Sequence, residues 1–172
     1  MAMTLIALII NANYQKQQFE LNNAPTWQAS QSSGRVLLDV EKGYALESQN
    51  NYLVFINSRE AKAQLLFSNY KEKFPGLEMY LKDLDQNGLN EMVFLVPDDD
   101  YSSAIHIYFN LNESKLGQHK GDAIVWTGDR LFFDSADNLY VRSCGSQYCN
   151  DTYYKWSNEK LVEEYTDSYE SM

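Results

Sequence analysis

Between residues 83 and 91 the sequence reads Asp-Leu-Asp-Gln-Asn-Gly-Leu-Asn-Glu, with oxygen-bearing side chains at every other position up to a glycine. Hard cations such as calcium require several oxygen ligands converging within a few ångströms, and a sharp turn that lets the chain wrap the ion. Counted from Asp83, the carboxylates and amide of Asp83, Asp85 and Asn87 occupy positions 1, 3 and 5. Gly88 stands at position 6, where the turn needs a residue without a Cβ. Leu89 can offer its backbone carbonyl, and Glu91 can supply a carboxylate directly or through water. Position 12 is Phe94 instead of the bidentate Glu of a helix–loop–helix calcium site, and the flanks "LEMYLK" and "MVFLV" have strand character. The expected site is therefore a calcium loop between two β-strands. Magnesium, which demands a rigid octahedral shell with retained waters, suits it less well. The competing reading is an Asn-Gly hairpin turn whose acids are incidental.

A second constellation is Ser143-Cys144-Gly145-Ser146-Gln147-Tyr148-Cys149. Four residues between the cysteines suit a disulfide across a tight loop, and two free thiols of a cytosolic protein are the alternative. Zinc is disfavoured, because the two histidines, His106 and His119, lack the paired spacing of a zinc site. Neither histidine has a Ser or Cys partner at a recognisable motif spacing, so no nucleophilic triad is expected and no catalytic residue is assigned. Carboxylate pairs carry little information among 24 acids. Asp98, Asp99 and Asp100 read as a solvated loop, and Asp134 with Asp137 as an Asx-type turn.

The elements that must position these groups are strands. Short runs of β-formers recur about every ten residues: "RVLLDV", "YALES", "YLVFIN", "LEMYLKDLD", "EMVFLV", "AIHIYFNL", "AIVWT", "RLFFDS", "LYVRS", "TYYKW" and "KLVEEY". Glycines lie in or beside the gaps, and Ile105, Ile107 and Phe109 alternate with His106 and Tyr108. The segment from Ser58 to Phe74 has helix-forming composition, but Ala61, Ala63, Leu65 and Phe67 alternate with Lys62 and Gln64, which favours a strand. The predicted architecture over residues 13–172 is a single all-β domain, an antiparallel meander arranged as a propeller-like, sandwich or barrel fold. Trp126 and Trp156 are expected in its core, and the acidic stretch from Glu163 as a polar tail.

Fourteen basic and 24 acidic residues give a net charge of −10. Nucleic-acid binding is excluded on this ground, because neutralising phosphates needs Lys and Arg. A basic protein partner is favoured instead. Residues 1–12, "MAMTLIALIINA", form an uncharged apolar run too short to span a bilayer, which takes about 20 residues. Its length fits the apolar region of an export signal, with cleavage after Ala12, although no Lys or Arg precedes it. A first core strand is the other reading. Export and a disulfide support each other, and together predict a periplasmic or secreted protein without membrane insertion.

The strand–loop–strand around 83–91 resembles the calcium loops of FG-GAP and similar β-propeller repeats. The C-terminal stretch "LFFDSADNLYVRSCGSQYCNDTYYKWSNEKLVEEY" resembles a family of exported bacterial inhibitors. These are the calcium-binding, propeller-like immunity proteins that neutralise peptidoglycan-cleaving effectors of bacteria-killing type IV secretion systems. They are similar to periplasmic inhibitors of invertebrate-type lysozyme. The resemblance covers about residues 75–165 and implies a non-enzymatic inhibitor of a basic, lysozyme-like cell-wall hydrolase. The inhibitory loop would fall on Ser143, Gly145, Ser146 and Tyr148, while the Cys144–Cys149 pair departs from the family pattern. The alternative is a calcium-stabilised surface adhesion module with no enzyme target.

Overall fold

The computed structural model describes residues 14–30, 34–97, 102–109, 118–119, 124–127, 130–157 and 160–171. The expected signal segment and Asp98–Asp100 lie outside them. The chain divides into two compact units, one of Pro25–Asp129 with Trp156–Val162, the other of Met1–Ala24, Arg130–Lys155 and Glu163–Met172. Helix α1 (residues 14–22) opens the described chain and belongs to the second, smaller unit.

In the larger unit, β1 (Trp27–Gln28) is followed by the meander β2 (Arg35–Asp39), β3 (Tyr44–Gln49), β4 (Tyr52–Asn57) and β5 (Lys62–Ser68). All neighbours in it are antiparallel. The β3–β4 turn is made by Asn50 and Asn51, both at positive φ (48° and 70°). That is the backbone a tight two-residue hairpin requires, and asparagine tolerates it better than most residues. The 58–74 segment is a strand over its middle, as the alternation indicated, and ends in a single helical turn, α2 (Tyr70–Lys73). A register shift on β4 between Leu53 and Val54 breaks the expected alternation of β5. Phe67 is buried there, while Leu65, two residues away, is 54% exposed.

The second sheet of this unit follows the order β1, β6 (Glu78–Lys82), β7 (Glu91–Pro97), β8 (Ser102–Phe109), β10 (Ile124–Thr127), with β9 (Gln118–His119) also paired to β8. Its strands and those of the first meander enclose one core. Trp27, Leu46, Leu53, Phe55, Leu77, Met79, Met92 and Phe94 are almost completely buried in it. Trp27, which the sequence did not single out, belongs to this core; Trp156 is half-buried, and the side chain of Trp126 lies outside the described residues. Tyr70 is fully buried edge-on to Trp27, and its hydroxyl has no hydrogen-bond partner among the described residues.

β11 (Arg130–Phe133), β12 (Leu139–Cys144), β13 (Tyr148–Ser157) and β14 (Lys160–Glu170) form a third consecutive antiparallel sheet, which belongs to the smaller unit except for Trp156–Val162. The stretch from Glu163, expected as a polar tail, is strand β14. Thr166 bonds Thr152, and Ser168 bonds Asn150. Rings on one face stack in a ladder across all four strands, Phe132 on Tyr140, Tyr140 on Tyr153, and Tyr153 on Tyr165, at centroid distances of 5.5, 5.0 and 4.5 Å. The fold is all-β and antiparallel as predicted, and among the described residues no sheet closes into a barrel. Among the described residues no helix is long and apolar enough to cross a membrane.

Candidate metal centre and hairpin tip

Strands β6 and β7 stay in register up to the pair Lys82–Glu91, so residues 83–90 form the connection. This is no two-residue Asn-Gly turn. The loop is organised by its own acids. Asp83 accepts hydrogen bonds from the backbone N–H groups of Asn87 (3.0 Å) and Gly88 (2.8 Å), one on each carboxylate oxygen. Asp85 accepts from the Asn87 side-chain amide at 2.9 Å and from its backbone N–H at 3.3 Å. Two residues reverse the chain at positive φ, Gln86 (57°) and Gly88 (86°). No heavy atom lies within 4 Å of a Cβ built on Gly88, so conformation is what favours glycine there.

Glu91 enters the group from the first position of β7. It is 2% exposed and accepts a 2.7 Å hydrogen bond from the Leu84 N–H. One carboxylate oxygen each from Asp83, Asp85 and Glu91 lie within 4.8 Å of one another. Burial pushes the Glu91 carboxyl up to about 8; the Leu84 N–H opposes this rise, and the charges of Asp85 and Asp83 add to it. The structure therefore gathers Asp83, Asp85 and Glu91 from the expected ligands. Asn87 meets the group as a hydrogen-bond donor, and the half-buried Leu89 follows in the loop. Oxygens bound to one calcium ion at about 2.3–2.6 Å stand at most about 5 Å apart. The separation of the three carboxylates meets that requirement. Their donor chemistry, hard oxygen throughout, fits calcium.

In the smaller unit, β12 and β13 close at the in-register pair Cys144–Cys149, joined as a disulfide. The Gly145 N–H bonds the Tyr148 carbonyl at 2.8 Å and narrows the tip beyond it. Residues 143 to 148 are all exposed, Tyr148 at 55%. The hydroxyls of Ser143, Ser146 and Tyr148 have no partner among the described residues. Ser171, after β14, braces the tip: its N–H bonds the Gln147 carbonyl at 2.8 Å and its hydroxyl the Ser146 carbonyl at 3.4 Å. The tip is fixed by its staple and brace, and among the described residues the hydroxyls of Ser143, Ser146 and Tyr148 stay free.

Beneath the tip is a pair the sequence reading missed. Arg142 bonds Asp151 through Nε and a terminal nitrogen, both at 2.7 Å, and the Tyr169 hydroxyl donates to the same carboxylate at 3.2 Å. Asp151 is 5% exposed. The guanidinium also lies 5.2–5.6 Å from the rings of Phe132, Tyr140 and Tyr169. The Asp151 hydrogen bonds hold the Arg142 pKa still higher than usual. Only the register of β12 against β13 brings these charges together, and no local motif announces it.

Asp134 forms the expected Asx turn, accepting from the backbone N–H groups of Ala136 and Asn138 and from the Asn138 side chain. His106 and His119 lie on β8 and β9, paired with Phe94 and Tyr108. No family model, curated protein or solved structure matches this chain.

Proposed function

We propose that the protein is an exported, non-enzymatic inhibitor of a basic, lysozyme-like cell-wall hydrolase, stabilised by calcium at the 83–91 loop. The observation that carries the inhibitory reading is the disulfide-closed tip at 143–149, with its exposed Tyr148 and unpartnered serine hydroxyls. A lysozyme-like cleft holds two acidic catalytic groups. A rigid hairpin bearing O–H donors is suited to enter it, because little conformational entropy remains to be lost on binding. Tyrosine serves well as an anchor, having a large ring and few rotors.

Calcium would be held by Asp83, Asp85 and Glu91, with Asn87 and the Leu89 carbonyl completing the shell. Its role would be structural: it neutralises three clustered carboxylates and clamps the β6–β7 connection. Two of the three antiparallel sheets are four-stranded meanders, the connectivity of a blade in a propeller-like arrangement. The disulfide favours an oxidising compartment, the periplasm or the exterior.

The test is to titrate the calcium-loaded protein against a panel of lysozymes and muramidase effectors, following peptidoglycan cleavage. Stoichiometric inhibition that Tyr148→Ala weakens at unchanged melting temperature supports the reading. Cleavage that continues undiminished across the panel overturns it.

A further inference from the structure

We propose that the outer edge of β14, over Glu163–Glu170 in the smaller unit, is a docking site for an extended basic segment of a partner protein. The segment adds to the sheet as a fifth strand and sets an arginine over Tyr165. β14 is the last strand of its sheet among the described residues, and every residue from Glu163 to Glu170 is exposed, on both faces alike. The strand keeps one register against β13. Tyr165 stacks on Tyr153, Thr166 bonds Thr152, Ser168 bonds Asn150, and the Ser171 N–H bonds the Gln147 carbonyl. In an antiparallel pair, successive residues turn their N–H and C=O groups to opposite sides. The odd-numbered residues before Ser171 therefore bond β13, while Glu164, Thr166, Ser168 and Glu170 direct theirs outward. Such an edge is a template for one more strand.

The aromatic ladder fixes where a side chain of that strand would sit. Its rungs, Phe132, Tyr140, Tyr153 and Tyr165, are 5.5, 5.0 and 4.5 Å apart, close to the roughly 4.8 Å between neighbouring strands. Tyr140 and Tyr153 are covered on both faces by their neighbours in the ladder. Tyr165 is the last rung: one face lies on Tyr153, and the other points past the edge with no ring partner among the described residues. The residue is 48% exposed. A fifth strand places its facing side chain at the next rung. Because the Tyr165 backbone bonds β13, an antiparallel newcomer meets it in a non-hydrogen-bonded pair, where side chains approach most closely.

The charges beside Tyr165 select what that side chain is. Glu163 and Asp167 stand two residues to either side of it on the same face, each roughly 7 Å away along the strand. Neither has an ion-pair partner among the described residues, whereas Glu164, on the other face, is taken by Lys155 at 2.7 Å. No basic residue lies between Glu163 and Glu170. An open ring face between two carboxylates attracts a cation, and a planar guanidinium above all. The same sheet already uses this contact internally, with the Arg142 guanidinium 5.2–5.6 Å from the rings of Phe132, Tyr140 and Tyr169. Charge guards edge strands against unwanted pairing. Acids alone guard this one against a second copy, whose β14 would set acid against acid, and leave it open to a basic strand. The complementary segment is basic at alternate positions, Arg-x-Arg-x-Arg, with its central arginine over Tyr165.

The site is tested by following backbone amide resonances of the full chain at low salt, in separate titrations with two peptides at up to millimolar concentration. One is Thr-Arg-Val-Arg-Val-Arg-Thr. The other has proline in place of both valines, which keeps the charge and removes the N–H groups that must bond the edge. Saturable shifts with the valine peptide, centred on residues 163–170, are expected, with slowed hydrogen exchange at the outward N–H groups of Glu164, Thr166 and Ser168. The doubly substituted Glu163→Gln/Asp167→Asn protein should bind roughly tenfold more weakly, from the loss of two exposed ion pairs, at an unchanged melting temperature. Four results overturn the proposal. They are no saturable shift with the valine peptide, equal binding of the proline peptide, undiminished binding by the double variant, and concentration-dependent shifts of residues 163–170 without peptide. The second would mean charge attraction without strand addition, and the last a second copy on the edge. No hydrolase is present in this experiment, so its outcome is independent of the inhibitory reading.

Discussion

Glu91 makes the proposed metal centre testable without any ligand at hand. Its carboxyl, ordinarily near 4.5, is raised to about 8 in the metal-free fold, chiefly by burial. Between those values the folded chain keeps a proton that the unfolded chain has released. Stability of the calcium-free protein should therefore fall as pH rises from about 4.5 to about 8 and level off above that, by about 3–5 kcal/mol in all. Calcium takes the ionised form, so the melting temperature it restores should be larger at pH 8 than at pH 5. Glu91→Gln keeps an acceptor for the Leu84 N–H while removing the charge. In chelator it should flatten this pH dependence, and it should abolish most of the calcium response. Thermal melts in chelator and in calcium at both pH values check each part, and an unaltered pH slope in the variant sinks the assignment. Tyr70 offers a second measurement at this scale. Its hydroxyl is buried without a partner among the described residues, so Tyr70→Phe should stabilise by about 1 kcal/mol and raise the melting temperature by about 2–4 °C. A fall of that size would show instead that the hydroxyl has a partner.

At the scale of elements, the hairpin tip is the part whose geometry and proposed use coincide. Closing so short a loop contributes about 2 kcal/mol in the chain-entropy model. Replacing Cys144 and Cys149 together with serine should lower the melting temperature by roughly 4–8 °C. Inhibition measured well below that temperature should also weaken, because the loop must then be ordered on binding. Lower stability with undiminished inhibition would make the disulfide a staple and nothing more. Much of this level was legible in advance. Each expected β-rich run coincides with a strand, because alternation and glycine-bounded spacing are local properties. The acidic cluster of the 83–91 loop was legible for the same reason: Asp83, Asp85 and Glu91 lie within nine residues. Helix α1 was not, since its inward stripe is Gln15-Gln18-Phe19-Asn22 and carries no apolar period. Nor was the Arg142–Asp151 pair, which exists only through cross-strand register. The apolar alternation of β5 was read correctly as strand, but the shifted register on β4 turned Leu65 outward, a non-local effect.

For the molecule as a whole, the net charge of −10 governs how a partner arrives more than how tightly it stays. A basic hydrolase approaching this surface is attracted over a distance set by the ionic strength. The screening length shrinks from about 30 Å at 0.01 M salt to about 10 Å at 0.1 M. Steering acts on encounter, whereas short-range contacts at a fixed tip act on escape. The two can be separated with a hydrolase found to be inhibited. Its association rate should fall by about tenfold or more between those salt concentrations, while its dissociation rate changes little. Tyr148→Ala should do the reverse, speeding dissociation and leaving the salt dependence of association intact, because it removes an anchor and no charge. Stopped-flow or surface-based kinetics at the two ionic strengths reads all four rates. If salt leaves association unchanged, the acidic surface serves solubility alone. If Tyr148→Ala leaves dissociation unchanged, the contact lies elsewhere on the chain and the tip is only a closed hairpin.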